Sequence, residues 1–356
     1  MKNHKIILRI VFFMLLLAVA GFGIFLSWAT INDYKPASII ELPIKGKGMP
    51  MDGLSDTISL FSWNIGYGGL GKEMDFFYEG GKKVRPTAGE FGKYFSGILG
   101  SLTHSGYPDF VFIQEADFKA KRSYYINEVA QIDSIFDSYA SVYATNYKAG
   151  FVPIPVAEPM GRVEAGLMTL SRYRPAEAER LAYPSSYSWP KRLFMLDRCG
   201  LLTRYKVPGH AWLVLINTHN SAFSDAAAMR KKELAVLKKT IMDEYALGNY
   251  VIVAGDWNQN PIPFDHTLVT DGNRTHRITP PIPADFLPAG WQWAFDPAKA
   301  TNRNVNEPYL KGHTGTTIID FFVVSPNVEV LNVNTLPQDF EYSDHQAVEM
   351  RVRLGR

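Results

Sequence analysis

Six short stretches of the chain each join an apolar run to a residue that can bind a metal, move a proton or hold a phosphate oxygen. "LFSW" leads to Asn64, "FVFIQ" to Glu115, "VLINT" to His219, and "VIVAG" to Asp256, with Asn258 two residues on. Asp320 lies inside "TIIDFFVVS", and Asp344 and His345 lie inside "YSDHQAV". Carboxylates and amides are hard oxygen ligands that suit Mg²⁺ or Mn²⁺, with water completing the octahedron. Carboxylates and histidines can also act as general acids and bases. Taken singly, each has an ordinary role. Asn64 can close a turn, Asp256 can sit in an Asx turn, and His219 or His345 can be a hydrogen-bonded structural histidine. Asp320 resists that reading, because a carboxylate amid "TIIDFFVV" needs a partner to offset its burial. The joint occurrence is the signal.

One stretch carries a rival reading. In "FSWNIGYGGLGKE", Gly66, Gly71 and Lys72 fit the start of a nucleotide-binding P-loop. The motif then requires Ser or Thr, whose hydroxyl ligates Mg²⁺, and the residue here is Glu73. Gly80 and Gly81 also interrupt the helix that should begin at the lysine. The glycines instead suit a tight turn at positive φ behind a strand that ends at Asn64.

The elements that must hold these residues are legible as short runs: "TISLFSW", "DFVFI", "AGLMTLS", "WLVLINT", "YVIVAG", "IIDFFVV" and "QAVEMRV". Their Val, Ile and Phe content and their bounding turns predict buried strands. Residues 224–249 predict a helix with Ser224 as N-cap, Leu234, Leu237, Ile241 and Tyr245 along one face, and Gly248 as its stop. A second helix is expected over residues 119–138. Strands mixed with helices indicate α/β or α+β layers, in which strand ends open onto a common rim. Residues 261–315 are broken by prolines and hold Trp291, Trp293 and Phe295. A substrate-facing surface and a packed insertion are both open for this segment.

Residues 10–30 carry no charge and are long enough to cross a bilayer as a helix. Lys2, Lys5 and Arg9 precede them without an acidic residue, which favours a cytoplasmic N-terminus over residues 1–9. Ala18-Val19-Ala20 offers the alternative of a cleaved signal peptide, although apolar sequence continues past it. In either case the remaining chain is expected outside the cytoplasmic membrane. A linker over 31–56 and one large domain over 57–356 follow. The chain has 37 Lys/Arg and 35 Asp/Glu; beyond residue 30 the balance is 34 against 35, or −1. That gives no general electrostatic push toward nucleic acid. Cys199 is the only cysteine, so there is no internal disulfide and no cysteine-based zinc site.

Taken in order, "SWNIGYG", "FIQE", "NTHN", "GDWN", "IIDFF" and "SDHQAV" resemble the endonuclease/exonuclease/phosphatase superfamily over about residues 58–354. The resemblance implies an α+β fold: a four-layer α/β/β/α sandwich of two packed mixed sheets with a metal-dependent phosphoesterase site at one end. It implies Glu115 as principal metal ligand, with Asn64 and Asp344 as further ligands. Asp256 is implied to orient or deprotonate the attacking water, and Asn258 to hold a phosphate oxygen. Asp320 would orient the imidazole of His345, which meets the phosphate, and His219 would protonate the leaving group. "GDWN" stands where "GDFN" is common, and Asn220 where Leu is common. The arginine-bearing signatures of the inositol phosphatases are missing, which argues against that branch. The basic stretches "KKVRP" and "WPKRLFMLDR" offer phosphate contacts or solvated surface charge.

The expected protein is therefore a membrane-anchored, Mg²⁺-dependent phosphodiesterase, with a nucleic-acid substrate slightly favoured and Mn²⁺ as the other metal. The alternatives are a phospholipid head-group phosphodiesterase of sphingomyelinase type and a noncatalytic binding module that retains the fold. No protein partner is evident, and no G-x-S-x-G elbow supports a serine hydrolase.

Overall fold

Two seven-stranded sheets stack face to face in the computed structural model, which describes residues 2–51, 57–184, 187–209, 211–222, 227–265, 267 and 279–355. The first sheet runs, in spatial order, β1 (Ile39–Glu41), β7 (Glu177–Ala182), β8 (Cys199–Tyr205), β9 (Leu213–His219), β10 (Tyr250–Asp256), β14 (Asp320–Val324) and β11 (Gln292–Ala294). The second runs β15 (Val328–Thr335), β16 (Val348–Leu354), β3 (Ile58–Asn64), β4 (Phe110–Asp117), β6 (Gly161–Ser171), β5 (Ala140–Val152) and β2 (Lys45–Gly46). A small pair, β12 (Asn302–Arg303) and β13 (Thr316–Thr317), stands apart. Both large sheets are mixed: β9 and β10 are parallel, as are β3 and β4, and the other pairs are antiparallel.

Leu60, Phe110 and Phe112 of one sheet meet Leu215, Ile252 and Phe322 of the other in the central core. The opposite face of β3 and β4 (Phe61, Trp63, Val111) is covered by Phe91, Phe95 and Ile98 of α2 (Ala88–His104), with α3 (Glu128–Ile135) beside it. The opposite face of β9 and β10 (Val214, Ile216, Val251, Val253) is covered by Leu234, Leu237 and Ile241 of α4 (Ala227–Ala246). The result is the α/β/β/α sandwich expected from the sequence. Its central strands are buried on both faces, which is why they read as continuous apolar runs rather than alternating ones.

The helices differ in detail from the sequence expectation. The helix α2 begins at a capping box in which the Thr87 side chain accepts from the Glu90 amide and Glu90 accepts from the Thr87 amide. The stretch 119–138 yields only the short α3, because Tyr124 and Tyr125 take positive φ in the turns before it. The helix α4 ends near Gly248, which adopts φ +84°. The expected cap Ser224 lies outside the described residues. Part of the stretch read as a linker is folded in: β1 pairs with β7, and β2 with β5, at the sheet edges. Such two- and three-residue edge strands leave almost no periodic pattern.

The N-terminal helix, α1 (Lys2–Ile31), is long and apolar enough to cross a membrane over His4–Ile31. Its last turns touch the domain. Phe25 stacks on Phe194 and meets Phe151 edge-on, Ala29 is buried, and the Trp189 indole donates to Thr30. In the 261–315 segment the packed reading holds: Trp291 is buried against α4's Tyr245, and Trp293 packs on Trp257, Phe286 and Phe321.

Candidate active site

The strand directions bring the six stretches to one rim. Asn64 ends β3, beside Gln114 of the parallel strand β4. His219 and Asp256 end the parallel strands β9 and β10 in register, and Asp320, which starts β14, pairs with Asp256. Behind the rim, Gln114 donates to Asn217 at 2.8 Å and joins the two sheets. In front of it, Asn64 Nδ2 donates to Asp256 Oδ2 at 3.0 Å and Glu115 Oε1 at 3.3 Å. Its Oδ1 accepts from the Gly66 amide at 3.0 Å, so the glycine turn orients the amide.

Two backbone features aim the carboxylates. The register of β4 against β6 slips between Ile113 and Ala116, and Glu115 sits in this bulge at φ +57°. A bulge redirects a side chain that regular pleating would bury. Gly255 adopts φ +138° immediately before Asp256, and a Cβ there would lie 2.0 Å from the Thr218 carbonyl oxygen. Gly255→Ala is therefore expected to cost at least about 1 kcal/mol of stability, since both strain and clash oppose it. Urea unfolding that shows an unchanged midpoint would contradict this.

The acid–base groups are nested. His345 Nδ1 lies 2.8 Å from Asp320 Oδ2. Burial opposes charge on this ring, but Asp320, Asp344 and Asp256 together raise its pKa well above the ordinary value. Its Nε2 faces the Nδ2 atoms of Asn302 at 3.1 Å and Asn64 at 3.4 Å, contacts that suit a neutral ring. Asn302 Nδ2 also donates to the Asp344 carbonyl at 3.2 Å, which holds that amide in place, so the amides around Nε2 and the surrounding carboxylates pull the ring in opposite directions. Asp256 is pushed up to about 6 by burial, with Asp320 adding to it. His219 Nε2 sits 3.3 Å from Asp256 and 3.7 Å from Glu115. Burial, helped by Arg198 and His345, lowers its pKa well below the usual value. Asn258, at φ +50°, donates its amide to Asp256 and its Nδ2 to the Asn220 carbonyl.

Asp344 is pushed up to about 7 by burial, and Glu115 and Glu79 add to this. Carboxylates massed in this way suit a bound cation. Glu115 and Asp344 line the cleft with carboxylate oxygens, as a hard divalent ion requires. Asn64, the third ligand expected from the sequence, instead turns Nδ2 toward Glu115 and has its Oδ1 engaged by the Gly66 amide. Asp256, Asp320 and His345 also bring potential ligand atoms within 4.8 Å of one another. That group is less apt, because Asp320 is already engaged by His345 Nδ1.

The sequence reading missed three participants. Asn302 reaches His345 from the two-residue strand β12, which has no apolar run to mark it. Tyr67 lies beneath the Arg122 guanidinium, 3.6 Å from ring centroid to Cζ, at φ +44°, and its buried hydroxyl has no hydrogen-bond partner among the described residues. Arg198 lines the cleft, and its buried Nη1 also lacks one. Only Arg198 had a signal, inside "WPKRLFMLDR". In the rejected P-loop stretch, Lys72 pairs with Glu341, and Glu73 accepts from Lys93 and Tyr94.

The Endonuclease/Exonuclease/phosphatase family model matches residues 61–345. Similar folds occur in three solved structures. An endonuclease/exonuclease/phosphatase from Beutenbergia cavernae gives TM-score 0.56 at 17% identity, covering 84% of this chain and 72% of that one. ANGEL2, a 2′,3′-cyclic phosphatase, gives 0.54 at 14%, covering 89% and 99%. TDP2 from Caenorhabditis elegans gives 0.51 at 14%, covering 85% and 76%. At such identities the likeness speaks for the fold alone. No curated protein sequence matches the chain.

Proposed function

Since the chain belongs to the Endonuclease/Exonuclease/phosphatase family and is a phosphoric ester hydrolase, we propose that it hydrolyses phosphodiesters at this rim while tethered to a membrane by α1. The observation that carries the reading is the convergence of Asn64, Glu115 and Asp256 beside the Asp320–His345 pair. Family members depend on a divalent metal, and the carboxylates of Glu115 and Asp344 would hold it here, with Asn64 Nδ2 positioning Glu115, Mg²⁺ the best fit and Mn²⁺ next. Bound there, such an ion would neutralise charge on the phosphate.

The chain's own groups do the rest. Asp256, held by Asn64 and the Asn258 amide, orients the attacking water and takes its proton. The water oxygen bonds to phosphorus, one P–O ester bond breaks, and the departing oxygen takes up a proton. His345 lines the cleft while Asp320 fixes its Nδ1, so His345 meets the phosphate and is the better-placed proton source. His219 lies between Asp256 and Glu115 and holds those carboxylates in place, rather than supplying the proton. Asn258 and Arg198 flank the phosphate as donors.

Trp291 and Trp293, open in the sequence reading as a substrate-facing surface, are packed with Tyr245, Trp257, Phe286 and Phe321 and so present no platform to either bases or lipid. The test is Glu115→Gln in the full chain, assayed with bis(p-nitrophenyl) phosphate and Mg²⁺ or Mn²⁺. Activity should fall more than about 100-fold, because groups that merely orient a metal ligand are typically worth 10- to 100-fold. Metal should raise the melting temperature of the parent by mass action and leave the variant unmoved. Near-normal turnover in a folded variant sinks the ligand assignment.

A further inference from the structure

The cleft has two unlike walls. One is the polar rim described above. The other is apolar and is built from Phe76, Tyr78, Met160, Phe194, Met195 and Leu196. Such a wall offers a sugar–phosphate backbone no cations along its length. Aromatic rings can also stack on bases, so the test below includes an oligonucleotide. Arg198 lies two residues beyond Leu196, where the apolar wall meets the polar end.

This wall is continuous with the membrane helix. Phe194, which lines the cleft, stacks on Phe25 of α1 at 5.8 Å with their planes 3° apart. Phe25 also meets Phe151 at 6.0 Å, and Trp28 packs over Gly150 of the same strand, β5. The Arg192–Asp33 ion pair at 3.0 Å and the Trp189–Thr30 hydrogen bond fasten the 189–194 segment to the end of α1. The β5–β6 hairpin that includes Phe151 ends in a tip where Ile154 is 41% and Val156 86% exposed, and Trp189, bonded to Thr30 at the end of α1, is 52% exposed. A Trp at the end of an apolar helix is what a bilayer interface accommodates, and exposed aliphatic groups on the adjoining hairpin add apolar surface to it. A domain held this way keeps its cleft beside the bilayer, and tethering raises the effective concentration of any substrate in it.

Resting on the hydrolase reading above, we propose that the substrate is a phospholipid in the bilayer that α1 crosses. Its head-group phosphate meets Arg198 and the carboxylate rim, its apolar portion lies along the Phe194 wall, and the β5–β6 tip contacts the bilayer surface. Water adds to the phosphorus of the head-group diester, one P–O bond breaks, and the departing oxygen is protonated.

The full chain, reconstituted in phosphatidylcholine–sphingomyelin vesicles with Mg²⁺ or Mn²⁺, provides the test. Three substrates are compared: the vesicle lipid, bis(p-nitrophenyl) phosphate and a single-stranded oligonucleotide. Hydrolysis of the lipid head group is expected, with the oligonucleotide left intact. The double variant Ile154→Asp, Val156→Asp lies outside the cleft. It should keep its rate on bis(p-nitrophenyl) phosphate and lose about 10-fold or more on the vesicle lipid. Hydrolysis of bis(p-nitrophenyl) phosphate without lipid turnover, cleavage of the oligonucleotide in preference to lipid, or equal lipid rates for parent and double variant would each overturn the proposal and leave the hydrolase reading standing. Inactivity on all three substrates would overturn both.

Discussion

Asp256→Asn is expected to lower kcat on bis(p-nitrophenyl) phosphate by about 10²- to 10⁴-fold, the usual worth of a positioned acid or base. The side chain keeps its size but can no longer take a proton. Asp256 is buried and anchored on three sides, by the Asn258 amide at 2.9 Å, Asn64 Nδ2 at 3.0 Å and His219 Nε2 at 3.3 Å. The replacement must turn an NH₂ toward one of these donors, so some loss of stability should accompany the loss of rate. Steady-state kinetics separates the two: in the folded fraction kcat should fall while KM changes little. A loss under about 10-fold would show that Asp256 is not the group that activates the water.

Asp320 and His345 should fail as one unit. His345→Ala is expected to cost about 10²- to 10⁴-fold in kcat. The 2.8 Å contact between Asp320 Oδ2 and His345 Nδ1 joins two buried groups, and Asp320 has no route to the phosphate except through the ring. Asp320→Asn should therefore be severe alone and add little once the imidazole is gone. Groups acting in series are grossly non-additive in this way. Fully multiplicative losses in the double variant would mean that the residues work independently. Breaking a buried pair typically costs about 3–5 kcal/mol, so each variant needs a melting curve beside its kinetics.

Local order was legible in the sequence wherever one residue type had one physical reason to be there. The runs ending at Asn64, His219 and Asp256 announced buried strands, and the structure has β3, β9 and β10 ending at those residues. Asp320 announced a partner because a carboxylate among apolar residues needs one, and His345 supplies it. The stop at Gly248 and the apolar face of α4 followed from helical spacing. The two-sheet layering came from the order of six motifs rather than from any one of them.

Tertiary structure alone decided the rest, because it depends on which strands become neighbours. Glu115 reaches the rim through a register slip against β6, which no pattern within β4 records. Asn302 joins the site from the short strand β12 and Tyr67 through positive φ, neither through periodicity. Trp291 and Trp293 read equally well as a binding surface and as packing, and the face of β14 and Trp257 against which they settled made them core. The apolar wall unites residues from 76 to 196 that share no sequence signal. Its continuity with α1 exists only because Phe25 and Phe194, 169 positions apart, stack in the folded chain.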